Sequence, residues 1–450
     1  MRNSIMTHTA PRVRMPGGYR EVVRLALPVV VSMLAQTLAS AVESALLGRF
    51  GTVEQGAAGL GGALLWAILL ACNCSGMGVQ ICVAQAMGAQ RRPDCGAITW
   101  QGVYITGLAW LPMLVIGVYA LPLVRLMAPS PELLEPTALY LRIELLGGLP
   151  ALLNLTLVGF FRGLGDTRTP LVVVLVVEIL NILLDLLLIF GMAGCPRLGI
   201  AGAALATVSA GTIGTATYLG LFLHRGRREG FLVQPRLPFD RHSCWRLLRV
   251  SWPIGAQGAL EMGAWTLFTA LIARLGAAEA AAHTIAIRVT SLSYMAGYGL
   301  CVAVTTLVGQ YLGAQNRAAA RRSMMSCLVL VIGLMGSLGI GFFIGRYPLV
   351  HLFTHDEAVV ALGVRVLLCV ALLQVFDGIN LIAMGVLRGA GQTRWPMLVG
   401  LLLNWGVFVP SAALAIFAWP GGLMGGWIAA LGTVVLLGLV MLYRVLRGAW

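Results

Sequence analysis

Residues Phe161–Pro170 read FRGLGDTRTP, and residues Leu387–Pro396 read LRGAGQTRWP. Both are x-Arg-Gly-x-Gly-x-Thr-Arg-x-Pro, and the second follows the first by 226 positions. The pairing extends beyond this turn. QAMGAQ at Gln85–Gln90 returns as QYLGAQ at Gln310–Gln315, and Pro28, Arg49 and Gly51 return as Pro253, Arg274 and Gly276, all at a shift of 225. Matches held in register over such a distance mark two homologous halves, about residues 1–230 and 231–450. In each turn glycine permits a tight backbone, proline opens the next helix, and arginine is expected to stay at the water interface.

Each half has the composition of a chain that sits in lipid. Of 450 residues, 59% are hydrophobic and 11% charged, with mean hydropathy +0.88; a soluble domain carries about 25% charged residues. Apolar runs recur from Glu21 to Tyr443, each near or above the roughly 20 residues that cross a bilayer. Backbone polar groups have no partner in lipid, so the spans must be helices, and the alternation of a membrane barrel is absent. Twelve spans are expected, starting near Glu21, Gly56, Gly96, Pro136, Pro170, Gly199, Trp245, Ala280, Ser323, Ala358, Pro396 and Gly425. Six per half return the chain to its starting side, so the halves run parallel. The predicted fold class is an all-α polytopic membrane protein of two six-helix lobes related by a pseudo-two-fold axis along the membrane normal. The segments are a tail (1–20), an N-lobe (21–224), a linker (225–244) and a C-lobe (245–450).

The net charge of +14 is carried by arginine; the chain has no lysine. Twenty-three arginines fall on one side of the predicted spans and five on the other: Arg49, Arg125, Arg197, Arg274 and Arg346. Arg142, Arg288 and Arg365 lie within spans. The positive-inside rule then places both termini in the cytoplasm. The tail before Gly17 is expected to be disordered. No cleavable signal peptide is expected, because the first apolar segment is too long and lacks a small-residue cleavage site. Charge so distributed follows the loops and does not point to nucleic acid. The linker is read as a solvated stretch facing lipid headgroups.

Several chemistries are excluded. Without lysine there is no Schiff base and no Walker phosphate loop, and the glycine spacing of the turns is wrong for one. An ion gradient, not ATP, is the expected energy source. Cys72-Asn73-Cys74 has the wrong spacing for zinc, and the cysteines read as small packing residues. An intramembrane prenyl transferase would need clustered aspartates around Mg²⁺, whereas the acids here are dispersed singly. No enzyme activity and no cofactor are expected.

A carboxylate at mid-bilayer costs about 2.5–3.5 kcal/mol on insertion scales, so each is a candidate functional group. Six stand out: Glu43, Glu144, Glu178, Asp185, Glu261 and Asp377. Glu144 has Arg142 two residues away, with Arg365 in a comparable place in the second half, and is read as a structural ion pair. Asp185 has Asn181 four residues before it, on the same helix face; Glu178 lies two turns earlier and either packs or shares its cavity. Glu43, Asp185 and Asp377 have no basic neighbour at helical spacing. Such groups must face a wet cavity or take up a proton, and when ionised they can hold Na⁺ or an organic cation. Trp265, one turn beyond Glu261, is read as core or as a contact for an aromatic cation. His283 is read as a packed histidine, with a pH sensor as the alternative. Pro28 and Pro253 are expected to open the first span of each lobe, while Pro150 and Pro410 interrupt others.

With the paired turns, the stretches LALPVVV and VESALLGRFG in the first span, LVGQYLGAQNRAAARR and AAHTIAIRVTSLSYM resemble the multidrug and toxic compound extrusion (MATE) family over nearly the whole chain after Arg20. The resemblance implies twelve helices in two lobes around a central cavity. It also implies a monomeric antiporter of a bacterial cytoplasmic (inner) membrane that exports small cationic or amphiphilic compounds in exchange for H⁺ or Na⁺. It places Glu43 where the family usually has Asp, Asn181 and Asp185 on the N-lobe proton motif of the DinF-type branch, and Glu261 and Asp377 on the C-lobe cation site, with Na⁺ there as one option, of the NorM-type branch. Leu373 stands where the NorM type often has Tyr, and Arg288 is a DinF-like feature, so the coupling ion is left open. The alternative within the superfamily is a flippase for lipid-linked precursors, whose cavity needs a cationic lining.

Overall fold

A computed structural model describes residues 17–72, 75–127, 130–233, 239–418, 421–448 and 450. The tail before Gly17 and most of the Cys72-Asn73-Cys74 spacing lie outside these residues. Among the described residues every regular element is helical.

The first half contains α1 (Tyr19–Phe50), α2 (Thr52–Cys72), α3 (Ser75–Gly88), α4 (Arg92–Val118), α5 (Ala120–Leu126), α6 (Pro131–Leu146), α7 (Gly148–Gly163), α8 (Arg168–Phe190) and α9 (Ile200–Glu229). The second contains α10 (Arg241–Ala273), α11 (Ala277–Gly313), α12 (Arg317–Ile344), α13 (Arg346–His351), α14 (Glu357–Gly389), α15 (Arg394–Leu403), α16 (Val409–Ala413) and α17 (Gly422–Leu446). The shift of 225–226 maps one list onto the other: α1 on α10, α2 with α3 on α11, α4 on α12, α6 with α7 on α14, α9 on α17. By length and composition nine described helices can cross a membrane, or ten if the bent pair α6–α7 is one span. In the repeat α10 is the counterpart of α1, and α2 and α3 together are the counterpart of α11, which makes the fold consistent with twelve spans.

Helices α9 and α10 extend into the stretch read as linker, so the connection between the halves spans residues 230–240. Pro28 and Pro253 lie inside α1 and α10, well past their first turns, and do not open them. Each halts the backbone ladder locally at the same place in its half.

The counterparts differ where the sequence differs. α6 and α7 meet at 49° around Gly147, and Pro150 sits in the first turn of α7, where its missing N–H is harmless. The corresponding residues in α14 are Leu373 and Phe376, and that helix is continuous. Conversely α8 is regular, whereas its counterpart is α15, a π-helical stretch at Asn404–Phe408, α16, and a second π stretch at Leu414–Ala418. Pro410 removes an N–H there, while α8 has Leu184 at that position.

The halves touch by symmetric contacts: α3 with α11, α1 with α11 and α10 with α3, α1 with α12 and α10 with α4. At the arginine-rich end two hydrogen bonds cross between them in opposite senses. Gln85 Nε2 donates to the Gly389 carbonyl at 2.9 Å, and Gln310 Nε2 donates to the Gly163 carbonyl at 2.8 Å. Gly88 lies against the Gln310 carbonyl and Gly313 against the Gln85 carbonyl, so close that neither has room for a Cβ. These glycines are what let α3 and α11 cross backbone to backbone.

Within the repeated turn, Asp166 caps α8. It accepts from the backbone N–H groups of Arg168 and Thr169, both at 3.1 Å, and from the Thr169 hydroxyl at 2.7 Å. It also pairs with Arg225 of α9. Burial alone would raise its carboxyl, but the Thr169 hydroxyl and N–H and then Arg225 outweigh that and hold it below its ordinary value. A lowered folded value means stability that is complete above the ordinary carboxylate range and lost as pH falls through the folded value. Asp166→Ala should therefore cost about 1–2 kcal/mol, mostly from the cap, since a partly exposed ion pair adds little. Thermal unfolding in detergent should show the gap between the two proteins closing below about pH 4.

Candidate functional site

Four acids gather in the first half. Glu43 comes from α1, Glu144 from α6, and Glu178 and Asp185 from α8. Glu43 accepts a hydrogen bond from the Tyr140 hydroxyl of α6. Glu144 lies within Coulombic reach of Glu43 and Asp185, and Glu178 within reach of the same two. Asp185 is fully buried, and neither of its carboxyl oxygens has a hydrogen-bond partner. Asn181 donates to the Thr207 hydroxyl at 3.4 Å, at the long limit of such a bond.

The ion pair expected for Glu144 does not form. Arg142 and Arg365 are both exposed, and the ion pairs among the described residues lie elsewhere, at Asp94, Asp166 and Glu229. Residues two apart on a helix point to different faces, so Arg142 turns away while Glu144 turns in. Tyr140, four residues before Glu144, shares its face; that spacing was the available signal for a member the sequence reading passed over. A set of acids with no base among them is neutral only when it holds protons or cations.

The second half brings together Glu261 of α10 and Asp377 of α14, in electrostatic contact with one another and with Tyr294 of α11. Both acids are half-buried. On either side of Asp377, Gln374 is fully buried with neither end of its amide bonded, and the Asn380 Oδ1 is buried without a partner. Leu373, one turn before Asp377, is core.

Trp265, one turn beyond Glu261 on α10, and His283 both pack among aromatic rings. Trp265 packs against Phe408, Phe268 and Trp427, with centroids 5.4, 5.9 and 6.3 Å away. His283 is 1% exposed. Its Nε2 lies 2.9 Å from the Thr269 hydroxyl, and its ring meets Phe268 edge-on at 5.2 Å. These rings fill the core of the second half.

The arginines of the repeated turns divide. Arg168 and Arg394 are exposed, as expected for an interface. Arg388 is not: it is 6% exposed, with Nη2 donating to Gln257 Oε1 at 3.2 Å. Arg162 is half-buried with its Nε closed off and unpartnered. Helical side chains lean toward the N-terminus, so arginines in the last turns of α7 and α14 reach back into the bundle.

Known proteins provide an independent comparison. The MatE family model matches residues 28–187 and 253–414, one copy in each half. A "Probable multidrug resistance protein NorM" of Thermotoga maritima is 28% identical over 452 residues, covering 100% of this chain and 97% of that protein. A protein of the same name from Pseudomonas putida is 31% identical over 434 residues, covering 93% and 91%, and the "Multidrug resistance protein NorM" of Burkholderia vietnamiensis is 30% identical, covering 92% and 91%. Among solved structures, a MATE protein in a bent conformation superposes with TM-score 0.88 at 19% identity over 95% of both chains. An outward-facing multidrug resistance MATE family transporter does so with 0.85 at 20% over 97% of both. Likeness at that identity speaks for the fold, and the fold, the two-copy match and relatives aligned end to end agree: the chain belongs to the MatE family.

Proposed function

We propose that the protein is a secondary active exporter of cationic and amphiphilic compounds, driven by H⁺ or Na⁺ and working by alternating access. The observation that carries this reading is the base-free acid cluster of the first half, centred on Asp185. Such a site has a use for any positive charge and no internal means of neutralising itself. The names of the NorM relatives support multidrug export. Both termini are placed in the cytoplasm, the arginine-rich end then facing inward, in a bacterial inner membrane.

In this scheme the crossed Gln85 and Gln310 bonds close the cytoplasmic end. Protons or Na⁺ arriving from outside occupy the Asp185 cluster or the Glu261–Asp377 pair and displace the cargo. The lobes then rock, the cytoplasmic end opens, and the ion leaves inward as new cargo binds. One charge moving down 100 mV supplies about 2.3 kcal/mol, enough for a modest drug gradient. The flippase alternative needs a cationic lining, and six intramembrane acids oppose it.

Purified protein in vesicles, with a pH gradient or a Na⁺ gradient imposed separately, tests the coupling. Asp185→Asn should abolish H⁺-driven efflux, and Glu261→Gln with Asp377→Asn should abolish Na⁺-driven efflux; a variant that leaves its gradient's efflux intact removes that site from the scheme. Asp185→Leu should raise the unfolding temperature in detergent while stopping transport, because an orphaned buried polar group costs about 1–3 kcal/mol. A fall of several degrees would mean the carboxyl is held by bound water or an ion. Gln85→Ala combined with Gln310→Ala should loosen the cytoplasmic closure. Ala84→Cys, placed where α3 meets Gly309 of α11 in an otherwise cysteine-free protein, should then label faster with a water-soluble maleimide.

A further inference from the structure

We propose that the groove between α15 and α17, at the arginine-rich end, holds an anionic phospholipid with its phosphate on Arg444 and its acyl chain along α17. The proposal goes beyond the export reading and does not depend on it.

The two halves are built differently at this place. In the first, the seam between α8 and α9 is closed: Tyr218 is 2% exposed and its hydroxyl donates to the Pro170 carbonyl at 3.1 Å. The shift of 225–226 maps Tyr218 onto Tyr443, which is 57% exposed, Leu219 onto Arg444, and Thr169 onto Trp395. The second seam opens into a groove of about 790 Å³, lined by Trp395 of α15 and by Tyr443, Arg444 and aliphatic residues of α17 that include Leu439 and Leu446.

Positive charge is left over there as well. The first half pairs arginines of this end internally, Arg91 with Asp94 and Arg225 with Asp166 and Glu229. Asp94 and Asp166 map onto Ala319 and Gln392. Beyond Arg241 every acid of the chain lies within a span, as Glu261 and Asp377 do, or at the opposite end, at the starts of α11 and α14. Arg444 has no ion pair among the described residues, and its Nε is buried without a partner. Its guanidinium lies over the Trp395 ring, 5.3 Å from the centroid, and the Arg447 guanidinium, one turn on, lies over the Tyr443 ring at 4.4 Å. A ring against the face of a guanidinium fixes its plane and leaves the N–H edge for an anion.

A phosphate fits that edge. Free phosphate would leave the groove's aliphatic wall bare, where Leu439 and Leu446 are 50% and 48% exposed; a phosphate joined to an acyl chain covers both parts at once. A zwitterionic headgroup brings its own cation to a place already holding uncompensated guanidiniums, whereas an anionic headgroup does not. Basic pockets between spans bind anionic headgroups for the same reason.

The test reads lipid retention by native mass spectrometry on the purified protein, supplied with phosphatidylglycerol, phosphatidylcholine or inorganic phosphate. Arg444→Gln and Arg444→Lys are compared with the parent and with Arg92→Gln, which removes an exposed arginine at the same end of the first half. The parent should retain phosphatidylglycerol about tenfold better than phosphatidylcholine. Arg444→Gln should lose that preference, Arg444→Lys should fall between, and Arg92→Gln should match the parent. A second measurement needs no charge variant: phosphatidylglycerol brominated on its acyl chain should quench a larger share of the fluorescence in the parent than in Trp395→Phe. Equal loss in Arg444→Gln and Arg92→Gln means diffuse attraction and overturns the site. Equal retention of the two lipids by the parent, or equal quenching with and without Trp395, overturns it too. Displacement of phosphatidylglycerol by inorganic phosphate assigns Arg444 to a soluble anion and likewise overturns it. Each of these failures leaves the export reading in place, because efflux is measured separately.

Discussion

A carboxyl group removed from water with no base beside it is destabilising by several kcal/mol unless it takes up a proton or a cation. In this protein that penalty is met repeatedly and never relieved internally. Asp185 is sealed with both oxygens unbonded, Glu144 points away from the arginine nearest to it in sequence, and Glu43 has only a tyrosine hydroxyl. The guanidiniums that reach the interior, Arg162 and Arg388, are held on other helices among tyrosines, an amide and a thioether. Among the described residues, these interior positive and negative groups form no ion pairs with one another.

The duplicated chain supports this arrangement by bringing the halves together through contacts that repeat in both directions. The paired glycines at 88 and 313 allow a backbone approach, and the paired glutamines then satisfy the carbonyls at the ends of α7 and α14. Each bond is worth about 1 kcal/mol net. Two such bonds are definite in geometry and modest in energy, which suits the separation of the halves that the proposed alternating-access cycle requires.

Much of this was legible in the residues. The repeat, the twelve spans and the side on which arginine accumulates all follow from spacing and hydropathy, properties that survive without three-dimensional information. The helix-face pairing of Asn181 with Asp185 was legible for the same reason. What escaped was set by rotation about helix axes and by contacts between distant segments. Arg142 and Glu144 look paired on the line but face opposite ways on the helix. Arg162 and Arg388 look interfacial by position in the turn, yet their side chains run back along the helix into the bundle. Tyr140 shares a helix face with Glu144, but its meeting with Glu43 of α1 joins segments about a hundred residues apart and is set by the tertiary fold. Pro28 and Pro253 read as helix openers, but the helices begin earlier because the arginine-bearing turns before them are themselves helical.

The two halves part company where Gly147 and Pro150 bend one arm at a single joint while its twin is straight, and where Pro410 spreads distortion through two widened π-helical stretches that α8 lacks. A joint at one residue yields to a push by pivoting; a helix with distributed widening yields by winding and unwinding. Under the proposed transport cycle, the same applied force would therefore produce a swing in one lobe and a torsion in the other, and a bulky guest would meet unequal jaws instead of a symmetrical clamp.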